Sequence, residues 1–535
     1  MADRKPENNG AFSGDSSHLP VPAFDPPAKP KTNKFAMACS FLASMTSILL
    51  GYDIGVMTGA IIYIQKDLHI TDVQKEVIMG IFSLYSLIGS AVAGPTSDWI
   101  GRRLTIVLAG VIFFFGALFM GLATNYAFLM VGRFVAGIGV GYALMIAPVY
   151  TAEVAPASCR GFLLSFPELF INIGAVIGFT SDLAFSRMPT NLGWRFMLGI
   201  GMIPSVILTL LTLIMPESPR WLVMQGRLAE AKQVLERTSD TSEEAESRLS
   251  DIKQAAGIPE HCNDDVVSIP KRHHGKHVWR ELFVHPTPAV LHIMLCAFGM
   301  HFFQMTSGIE PVILYSPEIF EKAGIKNDTY KLLATMAIGI VKTMSIVVAM
   351  FMSDKIGRRP LLLTSVGGCC VCLVGLATGL TFVQNSDHRL VWAVALCVGS
   401  ILCYVSIFAI GLGPLTWVYS SEIFPLRLRA QGCGLAVAVN RVTSAVCTMT
   451  FISLYKAITI GGAFFLYAGF AALAWVFFYT LFPETRGKAL EEIEALFGKF
   501  FKWRSTMSAL NEKKCDVNEH MAFGAMQKEK PDELG

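Results

Sequence analysis

The sequence predicts an all-α membrane protein of twelve transmembrane helices in two pseudo-symmetric six-helix bundles. Three observations carry that expectation. The 535 residues are 53% apolar without counting glycine and only 16% charged, whereas soluble domains are about 45–50% apolar with glycine included and about 25% charged. The chain divides into twelve stretches near or above the roughly 20 apolar residues a helix needs to cross about 30 Å of hydrocarbon. Blocks of its first half also recur, in the same order, in its second. A net charge of +3 without a basic stripe argues against nucleic-acid binding. Strand-period alternation is absent, so no β-barrel pattern is present.

The twelve spans are expected near 35–64, 76–97, 104–123, 126–151, 161–185, 194–215, 288–317, 330–353, 360–383, 390–420, 432–455 and 461–482. Gly, Ser and Thr are scattered through them, as close helix packing in lipid requires. Residues 1–34 are polar and Pro-rich and are expected to be a cytoplasmic tail, not a cleaved signal, because the first span is too long for a signal core. The N-terminal bundle then covers 35–215, a central cytoplasmic segment 216–287, the C-terminal bundle 288–482 and a second cytoplasmic tail 483–535. Lys and Arg in short loops and near span ends fall on the side of the termini more than twice as often as on the other, which places both termini in the cytoplasm. Within the central segment, the run Arg227–Lys253 has the Glu, Arg and Leu pattern of amphipathic surface helices. The cysteines lie mostly inside spans and read as small packing residues. Asn327-Asp328-Thr329 is a glycosylation sequon in an expected outer loop.

The internal duplication is specific. Asp98-Trp-Ile-Gly-Arg-Arg103 recurs as Asp354-Lys-Ile-Gly-Arg-Arg359, and Val149-Tyr-Thr-Ala-Glu-Val-Ala-Pro156 as Val418-Tyr-Ser-Ser-Glu-Ile-Phe-Pro425. Pro216-Glu217-Ser218 recurs as Pro483-Glu484-Thr485. Six spans, a loop and six spans is a parallel repeat about an axis along the membrane normal. Proteins of that plan bind a solute near the midplane, between halves that rock to alternate access.

The charges at the inner ends of the spans fit such a machine. Asp98, Arg102, Arg103, Glu153 and Arg160 lie there in the first half, and Asp354, Arg358, Arg359, Glu422, Arg427 and Arg429 in the second. An Arg follows the Glu by seven residues in both copies (Glu153/Arg160 and Glu422/Arg429). Topology alone asks for no acids, so these residues are expected to form ion-pair networks that close a cytoplasmic gate.

The same blocks carry a resemblance. Gly51-Tyr-Asp-Ile-Gly-Val-Met-Thr-Gly59, Gly132-Arg133-Phe, Pro216-Glu-Ser-Pro-Arg-Trp221, Gln304…Ser307-Gly308-Ile309, Gly413-Pro-Leu-Thr-Trp417, Glu422-Ile-Phe-Pro-Leu-Arg427 and Pro483-Glu-Thr-Arg-Gly487 resemble the signatures of the sugar porters of the major facilitator superfamily. Tyr315-Ser-Pro-Glu-Ile-Phe320 and Val439-Asn440-Arg441 look most like the plant polyol and monosaccharide transporters. The resemblance implies the major facilitator fold and a proton-coupled symporter of linear polyols, inositol or monosaccharides. A passive facilitator of the same fold is an alternative, and a non-transporting sugar sensor a more remote one. It also implies that Asp53, midway along the first span, is the proton-coupling acid and that Arg133 in the fourth modulates it. The physical logic is that a nearby guanidinium stabilises the carboxylate, and its withdrawal in a low-dielectric site favours the protonated acid.

By family position, Gln304, Asn440, Trp417 and Tyr315 are implied to contact the solute. The chain departs from the family pattern in four places there: Glu168, Glu310 and Lys342 stand where relatives often carry amides, and Met305 where a second Gln is usual. Pro95 likewise stands where an Arg is common. An ionisable group inside a membrane needs a partner, a cavity or a task. Glu310 is therefore expected to pair with Lys342 beside a polar cavity. A carboxylate accepts hydrogen bonds from vicinal hydroxyls, which would favour acyclic polyols or inositol. No phosphate-cradling loop and no His-Glu-x-x-His occurs, so neither a nucleotide-driven pump nor a metal enzyme is indicated. The expected partners are a small polyhydroxylated solute, protons and the plasma-membrane bilayer, with no cofactor, no metal and no nucleic acid. The protein is expected to work as a monomer.

Overall fold

The computed structural model describes residues 33–156, 160–256, 258–259, 282–284, 286–386, 390–425, 428–485 and 497. Its twelve spans, numbered here in chain order, are Lys34–Leu68, Asp72–Ile100, Arg102–Gly121, Tyr126–Val154, Phe166–Phe185, Thr190–Thr212, Pro288–Leu314, Asp328–Met352, Arg358–Gln384, Val391–Ser420, Gln431–Met449 and Ile460–Leu481. They fall close to the expected stretches, and the differences have local causes. Span 2 begins at Asp72 because Thr71 and Gln74 form a capping box, each side chain bonding the other's backbone N–H. That reciprocal cap carries the helix beyond its last apolar residue. Span 5 begins at Phe166, later than expected, after a one-turn helix at Arg160–Leu163.

Spans 1–6 form one lobe and spans 7–12 the other. The lobes meet where span 2 packs on span 11 and span 5 on span 8. These two contacts exchange under the duplication, since span 2 corresponds to span 8 and span 5 to span 11. Outward-facing side chains such as Ile214, Val371 and Leu473 are apolar and uncovered by protein, which a surface facing lipid tolerates.

Two spans are broken. Span 7 stops at Thr306 and resumes at Ile309, with Gly308 at φ 86° between the halves. A Cβ there would sit in a left-handed conformation and 3.0 Å from the Tyr467 ring, so glycine is the residue that permits the turn. Span 10 breaks at Gly411, three residues before Pro414. The proline has no N–H for the carbonyl one turn back, which weakens the helix at that point.

At the end opposite the termini, polar groups tie the lobes together. Lys75 Nζ lies 2.7 Å from Glu318 and Lys66 Nζ 3.2 Å from Asp328. Ser453 donates from both its backbone N–H and its hydroxyl to Glu76, each at 2.7 Å. Lys456 pairs with Asp72, and within the second lobe the Tyr455 hydroxyl donates to Glu318, the partner of Lys75.

At the other end, the central segment forms helices Leu228–Thr238 and Ser242–Ala256, packed on Leu222 and Val223. They are docked rather than loose. Arg248 Nη2 donates to the carbonyls of Glu153, Val154 and Ala155 at the C-terminus of span 4, where a cation is favoured by the helix dipole. Asn33 caps span 1 and donates to Arg237 O and Ser239 O.

Candidate functional site

Span 1 is pressed against span 5 through glycine. A Cβ on Gly51 would fall 1.8 Å from Ile171 O, and one on Gly55 2.3 Å from Ala175 O. Asp53, between them in sequence, faces away from that contact toward span 4. There Arg133 Nη1 donates to both carboxylate oxygens, at 2.8 and 2.6 Å. Arg133 Nη2 donates to Ile78 O at 3.1 Å, and the guanidinium lies 4.5 Å from the centre of the Phe82 ring. Both residues are 1% exposed. A buried charge pair of this kind holds only while both partners remain, because either one alone is an uncompensated charge in a low-dielectric interior.

Between the lobes lies a cavity of about 100 Å³. Leu50, Ile54, Glu168, Asn172 and Phe179 line it from the first lobe, and Met305, Glu310, Lys342, Trp417 and Arg441 from the second. A smaller cavity of about 10 Å³ adjoins, bounded by Asp53, Arg133, Ser83, Glu310 and Arg441. Glu310 and Arg441 therefore belong to the walls of both. An apolar hollow with a few converging polar groups is the usual form of a small-molecule site.

Glu168, Glu310, Lys342 and Trp417 all reach the larger cavity, although four different spans carry them. The direct Glu310–Lys342 pair expected from the sequence is not made: Glu310 Oε2 accepts from Ser444 Oγ at 2.7 Å. Lys342 instead feels both Glu168 and Glu310 across the cavity. Gln304, Asn440 and Tyr315 do not line it. Gln304 Nε2 donates to Leu412 O and Gly413 O at the break in span 10, and its Oε1 accepts from Asn440 Nδ2 at 2.8 Å. Asn440 Oδ1 accepts from Arg441 at 2.5 Å. Tyr315 donates to Thr448 O and stacks on Phe451. Burial of an amide demands partners, and these amides find them in the protein.

Asn172 was not anticipated. It lies one helical turn after Glu168 in span 5, and its Nδ2 donates to Glu168 O at 2.7 Å. The four-residue spacing, which puts both on one helix face, was the available signal.

The charges at the terminal end form two matching clusters. Arg102 bonds Asp98 at 2.9 Å and Glu153 at 3.1 Å, and Ser218 Oγ donates to Glu153 at 2.5 Å. Arg358 bonds Glu422 at 3.2 Å, and Thr485 Oγ1 donates to Glu422 at 2.9 Å. In each, an unanticipated glutamate accepts the first N–H groups of a span: Glu217 from Arg102 and Arg103, Glu484 from Arg358 and Arg359. The repeated Pro-Glu-Ser/Thr block was its signal. Arg103 also donates to Met215 O, Arg359 to Tyr479 O and Arg429 to Phe424 O. The pairs described at this end join elements of the same lobe, whereas at the opposite end Lys66–Asp328, Lys75–Glu318, Lys456–Asp72 and Ser453–Glu76 cross between lobes. Arg427 and the side chains of Arg160 and Asp354 lie outside the described residues. Pro95 sits within span 2, which runs on through it.

Two duplicated six-span lobes around a central cavity are the plan of an integral, multi-pass membrane transporter. The family described as "Sugar (and other) transporter" matches residues 39–497, and the chain belongs to that family, the sugar porters of the major facilitator superfamily. Polyol transporter 5 of Arabidopsis thaliana is 60% identical over 511 residues, covering 95% of this chain and 94% of that protein. The glucose transporter GlcP of Staphylococcus epidermidis is 32% identical, covering 87% and 97%. Among solved structures, the proton:xylose symporter XylE bound to 6-bromo-6-deoxy-D-glucose superposes with a TM-score of 0.71 at 27% identity, over 86% of this chain and 99% of that one.

Proposed function

We propose that this protein is a proton-coupled symporter of polyols (linear polyols, inositol) and/or monosaccharides, working by alternating access. The observation that carries the reading is the sealed Asp53–Arg133 pair beside a cavity between the lobes walled by Glu168, Glu310 and Lys342. The names of the Arabidopsis relatives support the solute class, and the likeness to XylE, a proton:xylose symporter, supports the proton. Protonation of Asp53 releases Arg133, and re-formation of the pair expels the proton; lobe rocking decides on which side each occurs. Glu168, Glu310 and Asn172 accept or donate to hydroxyls, and Trp417 offers a face to the C–H surface of the solute. Gln304, Asn440 and Tyr315 frame that wall. The terminal-end clusters make each lobe's mouth rigid and exchange partners across the gate when that end closes. The excess of Lys and Arg on the terminal side supports cytoplasmic termini, and we place the protein in the plasma membrane as a working monomer.

The test is uptake of labelled sorbitol, mannitol, inositol, xylose and glucose by transport-deficient cells, with and without an uncoupler. Saturable, uncoupler-sensitive accumulation of a polyol is the expected result. Uptake that only equilibrates would make the protein a passive facilitator, and binding without flux a sensor.

A further inference from the structure

A line of hydroxyls crosses between the lobes and ends on Glu310. Ser444 of span 11 donates to Glu310 Oε2 at 2.7 Å, and its Oγ lies 2.9 Å from Ser83 Oγ of span 2. Ser444 has one hydroxyl proton, and it points at the Glu310 carboxylate as a hydrogen-bond donor. The bond between the two serines must therefore run from Ser83 to Ser444, which polarises the whole line toward Glu310. Ser83 in turn bounds the small cavity shared by Asp53 and Arg133, whose volume of about 10 Å³ is close to what one water needs. Both serines are buried. The crossing joins the first lobe to the second in the half of the membrane where the polar seam already holds the lobes together.

We infer that Ser83 and Ser444 form a conformation-dependent proton path from Asp53 to Glu310, so that Glu310 is the residue through which the proton acts on the solute. This deepens the proposed symport and rests on it. The balance is simple. Asp53 gives its proton to a water in the small cavity, which passes one of its own to Ser83, and Asp53 becomes the carboxylate that Arg133 holds. Ser83 receives one proton and passes one on, Ser444 does the same, and Glu310 ends as the neutral acid. A neutral carboxyl loses the charge-assisted hydrogen bonds that a carboxylate accepts from hydroxyls, so arrival of the proton weakens the grip on the solute. The path exists only while the lobes are together at that end, because its two hydroxyls belong to different lobes. Solute and proton then leave together toward the termini.

Other charged groups face Glu310 from the elements around it. Lys342 on span 8, Glu168 on span 5 and Arg441 on span 11 share its larger cavity; Asp53 and Arg133 face it across the smaller one; the Cys447 thiol on span 11 is also within its field. None of these is hydrogen-bonded to either serine hydroxyl among the described residues, so Ser83 can be changed without touching them.

The experiment uses the full chain in proteoliposomes, with sorbitol as the probe. Two quantities are read: accumulation driven by a pH gradient, and sorbitol–sorbitol exchange at equal pH. Ser83→Ala is expected to lower accumulation by about fivefold or more, because it removes the hydroxyl that carries the proton between the lobes, with exchange unchanged. Ser83→Thr keeps the hydroxyl and should keep accumulation. Glu310→Gln should abolish the pH dependence of accumulation. Full accumulation by Ser83→Ala, or equal loss of both readouts in Ser83→Ala and Ser83→Thr, overturns the path. If Asp53→Asn still accumulates sorbitol, or the unchanged protein never does, the symport reading itself has failed and the path falls with it.

Discussion

Asn440 Nδ2 donates to Gln304 Oε1 at 2.8 Å, while Gln304 Nε2 reaches across to the carbonyls at the break in span 10. Two amides that sequence resemblance assigns to the solute are thus committed to each other and to a helix break. Gln304→Leu should destabilise the protein by about 1–3 kcal/mol, since it strips partners from Asn440 and two carbonyls. Thermal unfolding in detergent, with and without sorbitol, checks this. A loss of stability equal in both conditions marks a framing role, and a loss confined to the sorbitol sample marks direct contact.

Asp53→Asn leaves Arg133 buried without a counter-ion. The expected cost is about 3–5 kcal/mol, read as a lowered unfolding temperature, together with loss of uphill uptake. Replacing both residues, as Asp53→Asn with Arg133→Gln, should restore much of the stability and none of the accumulation. Failure of the double variant to recover would mean that the single change destabilises the protein by some route other than the stranded guanidinium.

The polar seam opposite the termini should bias the lobes toward closure there. Glu318→Ala removes the partner of Lys75 and of Tyr455. Only the Lys75 bond crosses between lobes; one charge-assisted bond is worth about 1.5–3 kcal/mol, so the open population at this end should grow by about tenfold or more. Spin labels at Val73 and Tyr330, both exposed on opposite lobes, would report a longer distance distribution. An unchanged distribution would show that the seam does not hold the gate.

Gly51 has no room for a side chain, since a Cβ would meet Ile171 O at 1.8 Å, whereas Gly399 and Gly469 have nothing within 4 Å. Gly51→Ala should therefore cost at least about 1–3 kcal/mol, the usual range for overpacking, and misplace Asp53. Gly399→Ala and Gly469→Ala should leave unfolding temperature and transport unchanged. Monodispersity and melting of the three variants decide the matter.

Much of this was legible in the chain itself. The spans follow from long apolar runs, because lipid leaves a backbone no option but internal hydrogen bonding. The two-lobe plan follows from the repeated blocks, and Asp53, Arg133, Glu168, Glu310 and Lys342 stand out because charge inside such a run is costly. What the chain could not decide is which of them meet. Asp53 and Arg133 are 80 residues apart and meet; Glu310 and Lys342 are on neighbouring spans and do not pair, and Glu310 accepts from Ser444 of span 11. Gln304 and Asn440 turn to one another, and the ion pairs described at the terminal end stay within a lobe. Periodicity and burial cost are properties of one helix and can be read along it. Partner choice depends on how helices rotate and cross in three dimensions, and only the packed structure sets that.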